Sequence, residues 1–267
     1  MKPTPRLVLA EAGGRATTVL TLNRPDKRNA LCVELLELLV AAVAAAQDDP
    51  GQRILILRGA GPAFCAGLDL TEAAGAARAR RSGRLVADAL LALSGSRLVT
   101  IAVVHGAAVA GGAGLMSACD MAVAAADARI GYPEPRRGLV AGLVMTFLRR
   151  QIRERDAREI LLTGEIFSAA RAREMGLVNR VAPTPEAALA EAMSLAGSVL
   201  QGGPLAVSRT KALLGGLWHR PARADLERAL KAHLHARRSA EAAEGIAAFR
   251  EKRPPAWADG PRTRPPG

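Results

Sequence analysis

Residues 17–22, TTVLTL, form a short apolar run that stops at the turn-forming NRPDKRN, and this pattern predicts a strand. After Asn29, the stretch ALCVELLELLVAAVAAAQ carries apolar positions at helical spacing with Glu34 and Glu37 early, which predicts a helix. The turn DDPG then leads into RILILR (53–58), a buried strand ending in GAGP. LVTIAVV (98–104) reads as a second buried strand, closed by His105 and Gly106. A glycine-rich turn in AGGAGLMSACD opens a helix, and MAVAAA adds a third such strand. This succession of strand, glycine turn, helix and strand predicts an α/β fold with parallel strands joined by crossovers.

From about residue 142 the pattern becomes helical. LVMTFLRRQI, RDAREILLT, SAARAREMG, PEAALAEAMSLAGSVL, PLAVSRTKALLGGL and ADLERALKAHLHARR each present an apolar face at 3.6-residue spacing. On periodicity alone the chain divides into an α/β part, about 1–140, and a helical C-terminal part. PPAWADGPRTRPPG is a proline-rich tail expected to fray past Trp257.

Composition changes this picture in two ways. Aromatic residues make up only 3% of the 267 residues, so the core must be built from Ala, Leu, Val and Ile. The formal net charge is +12, which points to an anionic partner or to a solvated arginine-rich surface. Residues 71–84 hold four arginines against one glutamate, yet no block forms a polybasic tail and no aromatics interleave with basic positions. Nucleic acid is therefore not the expected partner; a solvated arginine-rich surface is the first reading of the charge, and a small phosphorylated ligand the second. Cys32, Cys65 and Cys119 form no C-x-x-C pair and no zinc pattern with the histidines, so they are expected to be small core residues in a reducing compartment and no metal is expected. No 18-residue apolar run and no secretion signal is found, and the expected location is the cytoplasm.

Candidate chemistry gathers at three places. RGAGPAFCAGLDL (58–70) places Gly67 before Leu68, and HGAAVAGGAGL (105–115) places Gly111 and Gly112 at the mouth of a helix. Free N–H groups at such turns could cradle a phosphate or a developing oxyanion, although each alone is also what an ordinary turn looks like. The usual phosphate and nucleophile-elbow fingerprints are absent. The third place is Glu134 in IGYPEPRRGL, a carboxylate between two prolines. It reads as an acid/base group, as a first-turn helix acid, or as a partner of Arg136 or Arg137. His105 reads as a packed turn residue, and Asp120 as structural.

The blocks LNRPDKRNAL, AFCAGLDL, VVHGAAVAGGAGLMSACDMAVA, ARIGYPEPRRGL and LLTGEIFSAARAREMGLVNRV, in that order, closely resemble the enoyl-CoA hydratase/isomerase family of the crotonase superfamily. The resemblance runs from about residue 17 to residue 253, and FREKRPPAW resembles the family's C-terminal block. It implies a crotonase-like ββα-spiral core, residues 1–200, that binds an acyl-CoA thioester. A helical C-terminal region with the proline-rich tail, residues 201–267, would make a homotrimer or a dimer of trimers. The thioester oxygen would sit between the N–H groups of Leu68 and Gly111, with Glu134 as general base and acid. Ala66, Leu68, Asp69, Leu70, Thr71, Gly111 and Gly114 would line the substrate pocket, and Lys27, Arg28 and Lys252 would meet the CoA phosphates. No cofactor beyond the substrate's own coenzyme A is implied, and no membrane.

One departure bears on the reaction. Family hydratases carry a second glutamate at the position of Gly114, which the resemblance leaves as an open, uncharged wall. The single-glutamate pattern resembles some Δ3,Δ2-enoyl-CoA isomerases, and the combined motifs resemble the branch of methylglutaconyl-CoA hydratases and β-branching polyketide dehydratases. The expected reaction is hydration of a 2-enoyl-CoA, with double-bond migration or catalytically idle CoA binding as alternatives. Residues 71–97 are expected to form an arginine-rich lid whose arginines meet either a carboxylated acyl chain or water.

Overall fold

The computed structural model describes residues 6–72, 75–216 and 222–256. The chain begins with an antiparallel pair, β1 (Val8–Ala12) and β2 (Thr17–Leu22), in which Ala10 stands opposite Leu20. Helix α1 (Val33–Asp48) crosses over to β3 (Ile54–Gly59), and α2 (Ala76–Ser94) crosses to β4 (Val99–Val104). Next come β5 (Ala107–Val109), α3 (Gly111–Ala118), β6 (Met121–Ala125), β7 (Arg129–Gly131) and α4 (Gly142–Leu148). They are followed by α5 (Glu154–Thr163), β8 (Ile166–Ser168), α6 (Ala169–Glu174) and β9 (Arg180–Ala182). Four helices close the described chain: α7 (Pro185–Leu200), α8 (Pro204–Gly216), α9 (Ala222–Ala236) and α10 (Ala240–Glu251).

The main sheet runs β1-β2-β3-β4-β6-β9, parallel from β2 onward, and a small sheet runs β5-β7-β8. The apolar runs of the central strands have a direct cause: alternate residues enter two different cores. Leu55, Leu57, Ala102, Val104 and Ala124 face α1, α2 and α3. Ile54, Ile56, Ile101, Val103 and Val123 face the other way, onto α7. That helix meets the sheet through Ala188, Ala192 and Ala196, a stripe at four-residue spacing whose small side chains permit a close approach.

Several expectations from periodicity need correction. The first helix starts at Val33, with Cys32 at its N-cap, because Leu31 is held in an isolated bridge to Leu68. The division near residue 140 does not hold, since β9 completes the main sheet beside β6 and β8 joins the small one. Residues 71–97 are not a lid. They contain α2, whose Leu90 and Leu93 are fully buried in the main core. Helix α9 also enters that core through Leu226 and Leu230, so part of the C-terminal region packs on the α/β part. The tail past Trp257 lies outside the described residues. No described helix is long and apolar enough to cross a membrane, and the three cysteines are buried and unpaired with one another.

Candidate active site

Two strand-to-helix turns meet beside the sheet edge. The segment after β3 is pinned on both flanks. Ala66 N–H donates to Arg28 O and Leu31 N–H to Gly67 O, while Cys65 N–H donates to Ala107 O and accepts Val109 N–H at its own carbonyl. Asp69 N–H donates to Leu31 O, so the bridge pattern steps over Leu68 and leaves its N–H without a backbone acceptor among the described residues. Gly111 opens α3, where the first N–H groups of a helix have no intrahelical partner. The residue before each donor has a left-handed φ: +89° at Gly67 and +52° at Ala110. Those conformations turn the following peptides toward a common point. An atom added as Cβ on Gly111 would lie 3.6 Å from Leu68 N, and one on Gly67 3.4 Å from Gly111 N. At Gly67 a side chain would also stand 2.8 Å from Val109 O, so glycine is required there.

Asn29 braces the first of these turns. It is fully buried with φ +54°; its Nδ2 donates to Ala60 O and Ala63 O, and its Oδ1 accepts Arg24 N–H. Arg24 donates in turn to Ala30 O and pairs with Asp69 at 2.8 Å. Asp69 also accepts the N–H groups of Thr71 and Glu72. Its carboxylate is held below the usual range: burial pushes it up, but the Arg24 hydrogen bond and the backbone donors outweigh that.

Glu134 stands on the 3-10 turn Glu134–Arg137 that follows β7. Proline at 133 and 135 fixes the turn, and Gly138 closes it in a left-handed conformation. The carboxyl is buried and its Oε2 has no hydrogen-bond partner among the described residues. Burial raises its pKa to about 7, against the opposing pull of its own N–H and of the nearby Arg137 charge. Below it, Tyr132 is fully buried with its hydroxyl 2.7 Å from Ser117 Oγ. Helix α10 lies directly on this turn. A side chain at Gly138 would meet Glu241 O at 2.6 Å, and one at Gly245 would meet Arg137 O at 2.5 Å.

A cavity of about 780 Å³ gathers these groups. Leu68, Gly111 and Glu134 line it together. Lys27 and Arg28 reach it from the turn after β2, and Ala66, Asp69, Leu70 and Thr71 from the turn after β3. Two expected site residues do not line it. Gly114 is packed into the core, where an added Cβ would meet Val144 Cγ1 at 2.5 Å, so this position is filled rather than an open wall. Lys252 caps α10 in a left-handed conformation away from the cavity, whereas Arg250, two residues earlier, lines it and donates to Leu70 O. The lid arginines are displaced too: Arg80, Arg81 and Arg84 line a separate surface depression, and Arg81 pairs with Glu37. Among the lining residues that sequence reasoning did not assign to the site are Arg24, Arg137, His233, Arg237 and Phe249.

The enoyl-CoA hydratase/isomerase family description covers residues 13–260. The chain belongs to that family. An enoyl-CoA hydratase from Mycobacterium tuberculosis is 37% identical over 251 residues, 90% of this chain and 92% of that one. A mevalonyl-coenzyme A hydratase from Beauveria bassiana is 35% identical over 256 residues, covering 90% and 91%. The crystal structure of an enoyl-CoA hydratase from Mycobacterium avium superposes with a TM-score of 0.85 at 34% identity, over 95% of this chain and 100% of that one. The protein is thus an enzyme of the hydratase/isomerase class with the expected crotonase-like α/β fold and C-terminal helices.

Proposed function

We propose that this protein hydrates a 2-enoyl-CoA thioester with Glu134 as its acid/base group. Glu134 takes a proton from water as the water oxygen bonds to the β-carbon. The double-bond electrons move through the α-carbon to the thioester oxygen, which the N–H groups of Leu68 and Gly111 receive as an enolate. The enolate collapses as its α-carbon takes the proton back from Glu134, and the carboxylate is regenerated. Each preorganised donor of this kind contributes about 10²–10³ in rate. The observation that carries the reading is the buried Glu134 carboxyl, with a pKa raised to about 7 and its Oε2 without a partner among the described residues, on the same cavity as the two donors. Lys27 and Arg28 are the proposed contacts for the CoA phosphates, with Arg250 taking the place expected of Lys252.

Double-bond migration between Δ3 and Δ2 positions is the second reading. It is favoured by the packing of Gly114 against Val144, which leaves no room for a second carboxylate there. Incubation with crotonyl-CoA and with a 3-enoyl-CoA separates the two. The hydratase reading expects 3-hydroxybutyryl-CoA from the former, whereas isomerised product from the latter with no hydration overturns it.

Self-association is proposed as well, through α8. No residue of this helix is buried, and Leu205, Leu213 and Leu214 are each more than 60% exposed. Light scattering at micromolar concentration should give the mass of a trimer or dimer of trimers; a monomer mass contradicts this.

A further inference from the structure

The cover of the cavity carries positive charge that the hydration chemistry above does not use. Of the two arginines in the 3-10 turn, Arg136 faces outward, donating to Thr163 O at 2.8 Å and lying 3.8 Å from Glu165. Arg137 is three residues after Glu134, and in a 3-10 helix positions three apart eclipse one another. The two side chains therefore leave the turn on the same side, and both line the cavity. The guanidinium of Arg137 lies over the Phe249 ring, 4.5 Å from its centroid. Stacking occupies the flat face of a guanidinium and leaves the in-plane fork of N–H donors to engage an anion. No carboxylate among the described residues forms an ion pair with Arg137.

The other acids of the cavity are committed elsewhere: Asp69 to Arg24, and Glu72 to the N–H of Val33. Arg237, in the turn directly after α9, adds to the basic character of the same wall. Around these groups the wall is apolar, with Val86, Leu139, Leu143 and Val144. A charged fork in such a wall is strong and selective for an anion of matching shape, because little water competes for it.

We propose that Arg137 is a specificity-determining residue that receives a carboxylate carried on the acyl chain. The preferred substrate class is then the mono-thioester of an unsaturated dicarboxylic acid. This inference rests on the hydration reading, because it places the reacting carbons at Glu134. One turn of 3-10 helix advances about 6 Å, so Arg137 acts within one side-chain length of those carbons. The CoA phosphates lie at the other end of the pantetheine arm, where Lys27 and Arg28 enter from a different turn.

The experiment compares glutaconyl-CoA with crotonyl-CoA, which differ by one terminal carboxylate, in wild type, Arg137→Leu and Arg137→Lys. Wild type should favour glutaconyl-CoA in kcat/KM by about 10- to 100-fold, the range of a charge-assisted hydrogen-bonded pair. Arg137→Leu should collapse that ratio, and Arg137→Lys should retain only part of it because the fork is lost. The ratio cancels any general damage to folding. A ratio near one in wild type overturns the proposal. So does an equal loss on both substrates in Arg137→Leu, which assigns the residue to what both reactions share, such as the ionisation of Glu134 that its charge assists. Calorimetric binding of the saturated analogues glutaryl-CoA and butyryl-CoA gives a readout independent of turnover. If neither enoyl substrate is hydrated, the hydration reading fails on its own; tighter glutaryl-CoA binding that disappears in Arg137→Leu still supports the carboxylate site, and equal binding of both analogues removes it.

Discussion

The cradle at Leu68 and Gly111 and the cover formed by α9, α10 and the 3-10 turn face each other across one cavity, but they are built differently. The cradle is made of backbone. Its donors are aimed by left-handed residues and locked by hydrogen bonds of the flanking backbone, so the N–H at 68 is set by the chain's path and not by a side-chain functional group. The cover is made of side chains on helices packed over the core: Arg137 on Phe249, His233 on Val140 O, and Arg250 on Leu70 O. On the proposed reading, a feature common to every thioester, its developing oxyanion, is met by groups that substitution cannot easily change. On the same reading, features that vary among acyl chains are met by groups that one substitution can replace. Glu134 stands at the join, on backbone fixed by two prolines yet with α10 lying over it.

The strongest way to break this division is at the join. Glu134→Gln should lower kcat for hydration by about 10³-fold or more, while butyryl-CoA binding stays within a few-fold. A loss below tenfold, measured by steady-state kinetics, moves the general base elsewhere.

Gly114→Glu comes next. On the sequence alone the position reads as an open, uncharged wall that substrate approaches closely, but packing against Val144 and Leu90 makes it a core site. The substitution should destabilise the fold by about 3 kcal/mol or more and should not raise crotonyl-CoA hydration. A stable variant with improved hydration would show that the wall can open.

Titration of Glu134 sharpens the comparison. Its folded pKa of about 7 lies above the ordinary carboxyl value of 4.5, so the folded state binds the extra proton and stability falls as pH rises from about 4.5 to 7. Glu134→Gln removes that penalty. The variant should melt higher than wild type at pH 8, by up to about 3 kcal/mol of stability, and the difference should close near pH 4.5. Wild-type kcat/KM should rise with pH to a midpoint near 7, since the base must be ionised.

Phe249→Ala tests the cover itself. Losing the stack over Arg137 should weaken discrimination between glutaconyl-CoA and crotonyl-CoA by about threefold to tenfold, a cation–π contribution, with far less effect than removing the guanidinium. Within the cradle, Ala110→Gly should have the smallest effect. Relief of a strained φ opposes the greater flexibility of glycine in the unfolded chain, so chemical denaturation should show a change of about 1 kcal/mol or less.

The same contrast sets what was legible in the sequence. The parallel strands, the two glycine turns and Glu134 could be read because they rest on apolar runs and on local backbone punctuation. Strands β5, β7, β8 and β9 are three residues long and carry no alternation to detect. Helix α2 was hidden because Arg78, Arg80, Arg81 and Arg84 dominate its outer face while its buried residues are mostly alanine, valine and leucine further along. Gly114 was misread because its neighbour, Val144, arrives from thirty residues away. Arg137 reads in the sequence only as a possible partner of Glu134; Phe249 on α10 and the 3-10 turn that it shares with Glu134 bring it to the cavity. Asn29 did offer one, an asparagine in a turn of charged residues, but its role as a brace with φ +54° depends on the later loop that it holds.

The most direct test of the cradle and its base needs no hydration at all. Butyryl-CoA, incubated with the protein in deuterium oxide, has an α-proton that Glu134 can remove only if Leu68 and Gly111 hold the resulting enolate oxygen. Proton NMR should show exchange at the α-carbon with wild type and none with Glu134→Gln. Exchange that persists in the variant, or its absence in a wild type that binds butyryl-CoA, would contradict the arrangement described.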